Sequence, residues 1–374
     1  MTRYNWQQKD WPDFTYSLDE IEGAFFLFSE RIGHIAGILK ALPEETRIET
    51  IIDTLLTEAL KTSEIEGEYL SRKDVLSSIR KNLHLVSSPE YIKDKKAAGI
   101  GELMIDVRNS YKEELTEEKL FAWHKMLLSG SDTIVVGKWR DHEEPMQVIS
   151  GPIGKEKIYY EAPPSSIVPK EMKRFIKWFN NTAPGGKKEI KKAPVRSAIA
   201  HLYFETIHPF EDGNGRIGRA IAEKALSQSI GQPVLISLSG AIEANKKSYY
   251  NALQEAQRSN EITKWIAYFV KTILRGQLEA EEQIDFTLKK VRFFDRYKDK
   301  LNERQLKVVK RMLEAGPGGF KGGMNAGKYV SLTKVSKATA TRDLQGMLET
   351  GALIPLGESG GRSTKYQVNI NSGK

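Results

Sequence analysis

The sequence predicts a mainly α fold, with strands confined to a few short stretches, and three observations carry that expectation. Apolar residues recur at three- and four-residue spacing through most of the chain, which is the pattern of one buried helix face. Strand-like runs are limited to residues 136–164 and to short pieces after residue 329. At 374 residues and 40% hydrophobic content, the chain is too long for one core and suffices for two or three domains.

The elements follow in order. An aromatic arm with Trp6, Trp11, Phe14 and Tyr16 is expected to pack on the helical unit that follows it. Ser17 and Glu20 form a capping-box pattern ahead of Ile21, Phe25, Phe28, Ile32, Ile35, Leu39 and Leu42, an apolar stripe. Ile51, Ile52, Leu55, Leu56, Ala59 and Leu60 mark a second amphipathic helix, stopped at Gly67, and the first hundred residues read as wholly helical. Between Val136 and Pro164, short strands are expected around Gly151, Gly154 and Tyr159-Tyr160. Pro194 opens a buried helix through Val195, Ala198, Ile199, Leu202, Tyr203, Thr206 and Ile207, and Pro209 ends it, because the residue before a proline is pushed out of helical geometry. Ile217, Ile221 and Ala225 mark the next helix, stopped by Gly231 and Pro233.

The last stretch differs in character. Residues 301–374 hold 12 Lys/Arg against 5 Asp/Glu, a net +7 of the chain's +8. Asn302 and Gln305 cap a helix bearing Leu306, Val309 and Leu313; Gly316 to Gly327 is a glycine-rich connection; Tyr329-Val330 reads as a short strand. Ser336 caps a helix with Ala340, Leu344, Met347 and Leu348 inward and Lys337, Thr341 and Arg342 outward, and Leu353-Ile354 and Tyr366–Val368 flank a turn as a hairpin. The domains expected are 1–100 (helical), 101–275 (core), 276–300 (linker helix) and 301–374.

Composition excludes several chemistries. The absence of cysteine rules out disulfides, thiolate catalysis and cysteine-based zinc sites. With no apolar run near 18 residues and no signal sequence at the start, a soluble cytoplasmic protein without membrane contact is expected.

The chemistry concentrates in His208-Pro209-Phe210-Glu211-Asp212-Gly213-Asn214-Gly215-Arg216-Ile217-Gly218-Arg219. His208 stands at a helix end on the lip of a loop, as the side chain suited to general-base work at neutral pH. Gly213-Asn214-Gly215 can turn backbone N–H groups inward at a helix N-terminus, an anion-binding arrangement. Arg216 and Arg219 lie one turn apart and can lean over one phosphate chain, while Asp212 is a hard oxygen ligand for Mg²⁺. Gly213, Gly215 and Gly218 also satisfy a dinucleotide fingerprint, but that turn should follow a strand and here follows a helix. A zinc site of His201, Glu205 and His208 lacks the spacing such sites use.

This segment resembles the Fic motif, His-x-Phe-x-(Asp/Glu)-Gly-Asn-Gly-Arg-x-x-Arg, at every defined position. Fic proteins are helical enzymes, most of which transfer AMP from ATP to a protein hydroxyl. The resemblance, spanning roughly Leu115 to Ile273, implies a protein adenylyltransferase: His208 as base, Asp212 holding Mg²⁺, Gly213, Asn214, Gly215 and Arg216 on the phosphates, and Arg219 on the γ-phosphate. It implies a β-hairpin flap that holds a target segment, with Ile158, Tyr159, Tyr160 and Glu161 facing nucleotide. It also implies an adenine-side helix carrying Tyr249, Tyr250 and Gln257, whose aromatic spacing fits a helix core equally well. The Trp-x-x-x-x-Trp-Pro opening resembles a helical domain that often precedes Fic cores.

Thr62-Ser63-Glu64-Ile65-Glu66-Gly67 matches the family's inhibitory pattern, (Ser/Thr)-x-x-x-Glu-(Gly/Asn). In the family this glutamate pairs with the second motif arginine, here Arg219, and obstructs the γ-phosphate; Thr62 and Gly67 complete the pattern. The last domain resembles a winged helix-turn-helix, with Lys337, Thr341 and Arg342 on the helix and Arg362 and Lys365 on the wing as candidate DNA contacts, although such domains also serve protein contacts. The alternatives left open are a nucleotide-sensing DNA-binding regulator with little turnover, an enzyme that also removes AMP, and transfer of another phosphate-containing group. Whether the chain forms a homodimer, and which target protein it modifies, are not readable.

Overall fold

The computed structural model describes residues 4–85, 92–131, 134–150, 157–357 and 364–371. The chain divides into two compact units, Met1–Ala41 with Ile51–Ala280, and Leu42–Thr50 with Glu281–Lys374. It is mainly helical, as expected.

In the first unit, α1 (Glu22–Ala41) and α2 (Glu44–Ile65), whose first turns lie in the second unit, open the chain. The expected capping box at Ser17 does not form. A 3₁₀ turn at Asp19–Ile21 intervenes, the Ser17 amide donates to the Thr263 hydroxyl at 2.8 Å, and the Ser17 hydroxyl accepts from the Asp19 amide. α3 (Arg72–Asn82), α4 (Lys95–Asn109) and α5 (Glu117–Leu128) each begin at a side chain that accepts a first-turn amide: Ser71, Asp94 and Thr116. The hairpin expected between 136 and 164 is β1 (Gln147–Ser150) paired antiparallel with β2 (Lys157–Glu161). Gly151 and Gly154 lie outside the described residues.

α6 (Val168–Asn181), α7 (Ala193–Ile207), α8 (Asn214–Ile230), α9 (Leu238–Glu243), α10 (Lys246–Ala256) and α11 (Thr263–Tyr297) follow, α11 running on into the second unit. Every residue of α7 is buried. A helix buried on every side must be surrounded, so α7 is the axis of this unit. Its one cation, Arg196, donates to the carbonyls of Ala225 and Phe179 and to Gln228 Oε1, which satisfies the buried guanidinium. α7 and α8 pack closely together, and the loop between them, residues 208–213, is therefore anchored at both ends.

The aromatic arm is not helical apart from one 3₁₀ turn at Asn5–Gln7, and it does not rest on α1 and α2 alone. Trp11 Nε1 donates to Glu171 Oε2 of α6 at 2.8 Å and its ring stands edge-on to Tyr203 of α7 at 5.1 Å. Trp6 Nε1 donates to the Glu161 carbonyl of β2, and Thr15 bridges to Glu261. Indoles with an N–H to satisfy find it on these central elements, which periodicity within the arm does not reveal.

In the second unit, α12 (Glu303–Leu313) starts at a formed Asn302/Gln305 capping box. Tyr329-Val330 is helical, inside α13 (Ala326–Thr333): Asn325 accepts the Lys328 amide as an N-cap, and Tyr329 is buried with its hydroxyl on Asp343. The cap outweighs the strand preference of an aromatic and β-branched pair. α14 (Lys337–Glu349) and the antiparallel pair β3 (Leu353–Pro355) and β4 (Tyr366–Val368) complete the unit. Val308, Val309, Met324, Ala340, Met347 and Leu353 form its core.

Trp11→Ala is expected to destabilise the first unit by about 3–5 kcal/mol, the range for removing a buried aromatic. The shift of its urea unfolding midpoint measures this; an unshifted midpoint contradicts a packed arm.

Candidate active site

The loop after α7 owes its shape to two residues. His208 takes left-handed geometry at φ 49° and ψ 60°, which ends α7, and Gly213 takes φ 81°, which starts α8. Between them Asn214 acts as a staple: its Oδ1 accepts the Phe210 amide at 2.9 Å and its Nδ2 donates to the Phe210 carbonyl at 2.8 Å. Phe210 in turn is fully buried and stacked on His124 at 4.1 Å. The Asn214 side chain expected on the phosphates is thus spent inside the loop, and what this residue offers an anion is its main-chain N–H. The first turn of α8 leaves such groups without intrahelical partners and carries the positive end of the helix dipole.

Both motif arginines are buried and both are already paired. Arg219 Nε donates to Thr62 Oγ1 at 2.7 Å, and its Nη2 donates to the Thr62 carbonyl at 2.9 Å and to Glu66 Oε1 at 2.8 Å. Burial works against this guanidinium's charge, but the Glu66 carboxylate overrides it and holds the group's pKa above its usual value. Gly67 at φ 81° turns the chain away at the end of α2. Arg216 Nη1 donates to Glu68 Oε2, and its Nη2 lies 3.4 Å from Asp212 Oδ2. Glu68 also takes Lys96 Nζ at 2.6 Å. Sequence reasoning missed Glu68; its place directly after the inhibitory pattern, two residues beyond Glu66, was the only signal. Gly215 lies between these groups, where a Cβ would fall 2.2 Å from Glu66 Oε1.

Arg140 and Glu205, both outside the motif, stand beside His208. Arg140 is buried, and its Nε donates to the His208 carbonyl at 2.8 Å, Nη2 to the carbonyls of Ile207 and Pro163, and Nη1 to Ser165 Oγ, while the Pro209 carbonyl accepts the Arg140 amide. One guanidinium thereby ties the main chain at His208 to the segment leaving β2. Glu205, one turn back on α7, has Oε2 3.7 Å from His208 Nδ1. Burial, then the charge of Arg140, pushes the His208 imidazole down to about 4. Burial pushes the Glu205 carboxyl up to about 8, against the pull of Arg219.

The other candidates separate by burial. Tyr249 is buried with its hydroxyl 2.8 Å from His201 Nε2, so it belongs to the packed interior. Tyr250 is 37% exposed and alone of the two reaches the surface. Gln257 is buried, with its Nε2 donating to the Glu205 carbonyl and its own carbonyl accepting the Asn5 amide. In the hairpin, Ile158 is exposed, whereas Tyr160 is buried and donates to the Thr206 carbonyl at 2.6 Å. The Tyr159 carbonyl accepts from Gln254 Nε2, and Glu161 Oε2 accepts from Gln147 Nε2. Tyr160, Tyr249 and Gln257 therefore face inward, because each has a polar atom that a buried partner satisfies. In the second unit Lys337, Thr341, Arg342 and Lys365 are exposed, and Arg362 lies outside the described residues.

Residues 114–226 match the Fic/DOC family, and residues 4–85 match a domain of unknown function, DUF4172. The chain is 28% identical over 146 residues to a probable protein adenylyltransferase of Aquifex aeolicus, covering 39% of this chain and 38% of that one. It is 25% identical over 163 residues to the protein adenylyltransferase fic-1 of Caenorhabditis elegans, covering 42% and 27%. The chain thus spans under two-fifths of these relatives' length. A Fic family protein from Desulfovibrio desulfuricans shares the fold, with a TM-score of 0.53 at 19% identity over 93% of this chain and 97% of that one. Among the described residues no helix is long and apolar enough to cross a membrane.

The His208 imidazole is expected to titrate at about 4 by NMR, below its ordinary 6.5. Between those values the unfolded chain binds the extra proton, so this group's contribution to stability is complete above 6.5 and is lost as pH falls towards 4. A midpoint at or above the ordinary value contradicts the burial of the ring.

Proposed function

We propose that this chain, whose residues 114–226 are a Fic domain, transfers AMP from ATP to a hydroxyl of a protein and is held in check by Glu66. The observation that carries this is the pairing of Arg219, a buried cation beside the helix N-terminus, with a carboxylate from the end of α2. That carboxylate stands as a phosphate oxygen would.

In the transfer, His208 takes the proton of the attacking hydroxyl, the new O–P bond forms at the α-phosphorus, and the bond to the bridging oxygen of pyrophosphate breaks. A neutral imidazole is the form that can accept that proton, and burial keeps it neutral across the physiological range. The N–H groups opening α8 meet phosphate oxygens, and Arg216 and Arg219 balance the leaving charge once Glu68 and Glu66 let go. Positioning and charge neutralisation supply most of the rate in such reactions. Asp212 is suited to hold Mg²⁺: its carboxylate is half exposed beside the loop and, among the described residues, engaged by the Gly213 amide and, at 3.4 Å, by Arg216. The ion would neutralise phosphate charge there. Tyr250 is the aromatic available to a purine, and Ile158 is the exposed hairpin side chain against which an extended target would lie.

The exposed face of α14 supports a partner for the second unit. Lys337, Thr341 and Arg342 are exposed there, on the segment that holds nearly all of the chain's net positive charge. We propose that it binds DNA.

With labelled ATP and Mg²⁺, Glu66→Gly is expected to raise AMP transfer, and adding His208→Ala to lower it by roughly 10²–10⁴ while ATP binding persists. Equal transfer by parent and Glu66→Gly removes the brake; transfer undiminished by His208→Ala removes the base. Affinity for duplex DNA is expected to fall roughly 40-fold between 50 and 200 mM salt if three phosphates are met, and more shallowly in Lys337→Ala/Arg342→Ala. Binding indifferent to salt, or none, counts against DNA.

A further inference from the structure

We infer that Glu205, a residue outside the Fic motif, is a positioning residue for His208: its buried carboxyl faces ring Nδ1 and keeps Nε2 as the nitrogen that meets the substrate hydroxyl. The inference rests on His208 being the base.

Three independent features point to it. The first is geometric. His208 leaves α7 in left-handed geometry, which folds its ring back over the last helical turn, and Nδ1 comes within 3.7 Å of Glu205 Oε2. The Glu205 main-chain carbonyl faces the ring as well and favours its proton-bearing form. Both acceptors on this side belong to one residue, and they favour the tautomer with hydrogen on Nδ1.

The second is an orphaned atom. Glu205 Oε1 is buried and has no hydrogen-bond partner among the described residues. A buried carboxyl left half satisfied costs free energy that an apolar residue in the same space would avoid, so packing alone does not account for it.

The third is Gly218, at a position where the motif accepts any residue. A Cβ there would lie 2.2 Å from Glu205 Oε1 and 3.3 Å from His201 Cε1. The chain uses glycine on the first turns of α8 because the carboxyl occupies that space, just as Gly215 makes room for Glu66. The cavity and the carboxyl are matched.

The charged and titratable groups around the pair are Arg140 before the hairpin, Glu66 after α2, Asp212 in the loop, Arg219 on α8, Tyr249 and Tyr250 on α10, and His201 on α7. Burial keeps Glu205 protonated at neutral pH, with its pKa pushed up to about 8. A neutral acid next to a neutral imidazole sets orientation without fixing the ring in its charged form. When Nε2 takes the hydroxyl proton, the Nδ1–H has the Glu205 carboxyl and main-chain carbonyl beside it to take up the charge that develops, the role of a third group behind a base.

The test is made in full-length protein carrying Glu66→Gly, so that the brake does not mask rates. Glu205→Gln keeps the shape and an acceptor oxygen and is expected to retain most of kcat. Glu205→Met keeps the bulk without an acceptor and is expected to lower kcat roughly tenfold or more, a share of the 10²–10⁴ that a general base contributes, with KM for ATP within about twofold. Gly218→Ala displaces the carboxyl without removing it and is expected to act in the same direction. In 15N spectra of histidine-labelled protein, His208 is expected to carry its proton on Nδ1 in the parent and in Glu205→Gln, and to shift towards a mixture in Glu205→Met. A Glu205→Met variant with parental kcat and ring spectrum overturns the inference while an inactive His208→Ala leaves the base in place. An active His208→Ala overturns the base itself. If Glu205→Met does not fold, parental kcat and ring spectrum in Gly218→Ala overturn the inference.

Discussion

The buried guanidinium of Arg219 is the constraint around which the first unit is organised. A cation taken out of water has to be paired and hydrogen-bonded, and leaving it alone costs several kcal/mol. Here the end of α2 meets that need, through the hydroxyl and carbonyl of Thr62 and the carboxylate of Glu66. The same requirement makes the site responsive. Any group that satisfies Arg219 equally well competes with Glu66, and a phosphate oxygen has the charge and geometry to do so. With Glu66 as the proposed brake, the structural contact and the regulatory one are the same contact.

The loop beside it is rigid for reasons of main-chain chemistry. Asn214 closes it on Phe210, Phe210 is buried against His124, and Arg140 holds the carbonyls of Ile207 and His208 from below. Two left-handed residues, one of them not glycine, are thereby held in place. Preorganised N–H groups need no reordering when charge arrives, which is where a fixed loop gains over a mobile one. Around it the unit places carboxyl groups at two glycines of α8, so the spacing of glycines along that helix records where Glu66 and Glu205 sit.

Much of this was legible from residues near one another in the chain. The helical period, the proline and glycine stops at Pro209, Gly67 and Gly231, and the Asn302 and Ser336 caps are local signals, and the structure shows helices ending or starting there. The errors have physical causes too. Ser17 lost its cap to a 3₁₀ turn and a contact with Thr263; Tyr329-Val330 followed its Asn325 cap into a helix. Apart from these errors, the partners of Tyr160, Tyr249 and Gln257, which are Thr206, His201 and the Glu205 carbonyl, lie far from them in sequence and so are not written in the residues around them.

The sequence by itself determined the helical class and the loop that joins a histidine, two glycines and two arginines, because each is written in residues a few positions apart whose chemistry is fixed by type, while the glutamate expected opposite the second arginine came from the family resemblance. Tertiary structure alone decided which oxygen each arginine holds, that Glu68 and Arg140 take part, and that Glu205 stands behind the imidazole. Those outcomes depend on burial, which sets both the protonation state of a group and the partners it must find, and burial arises only when helices distant in sequence close over one another.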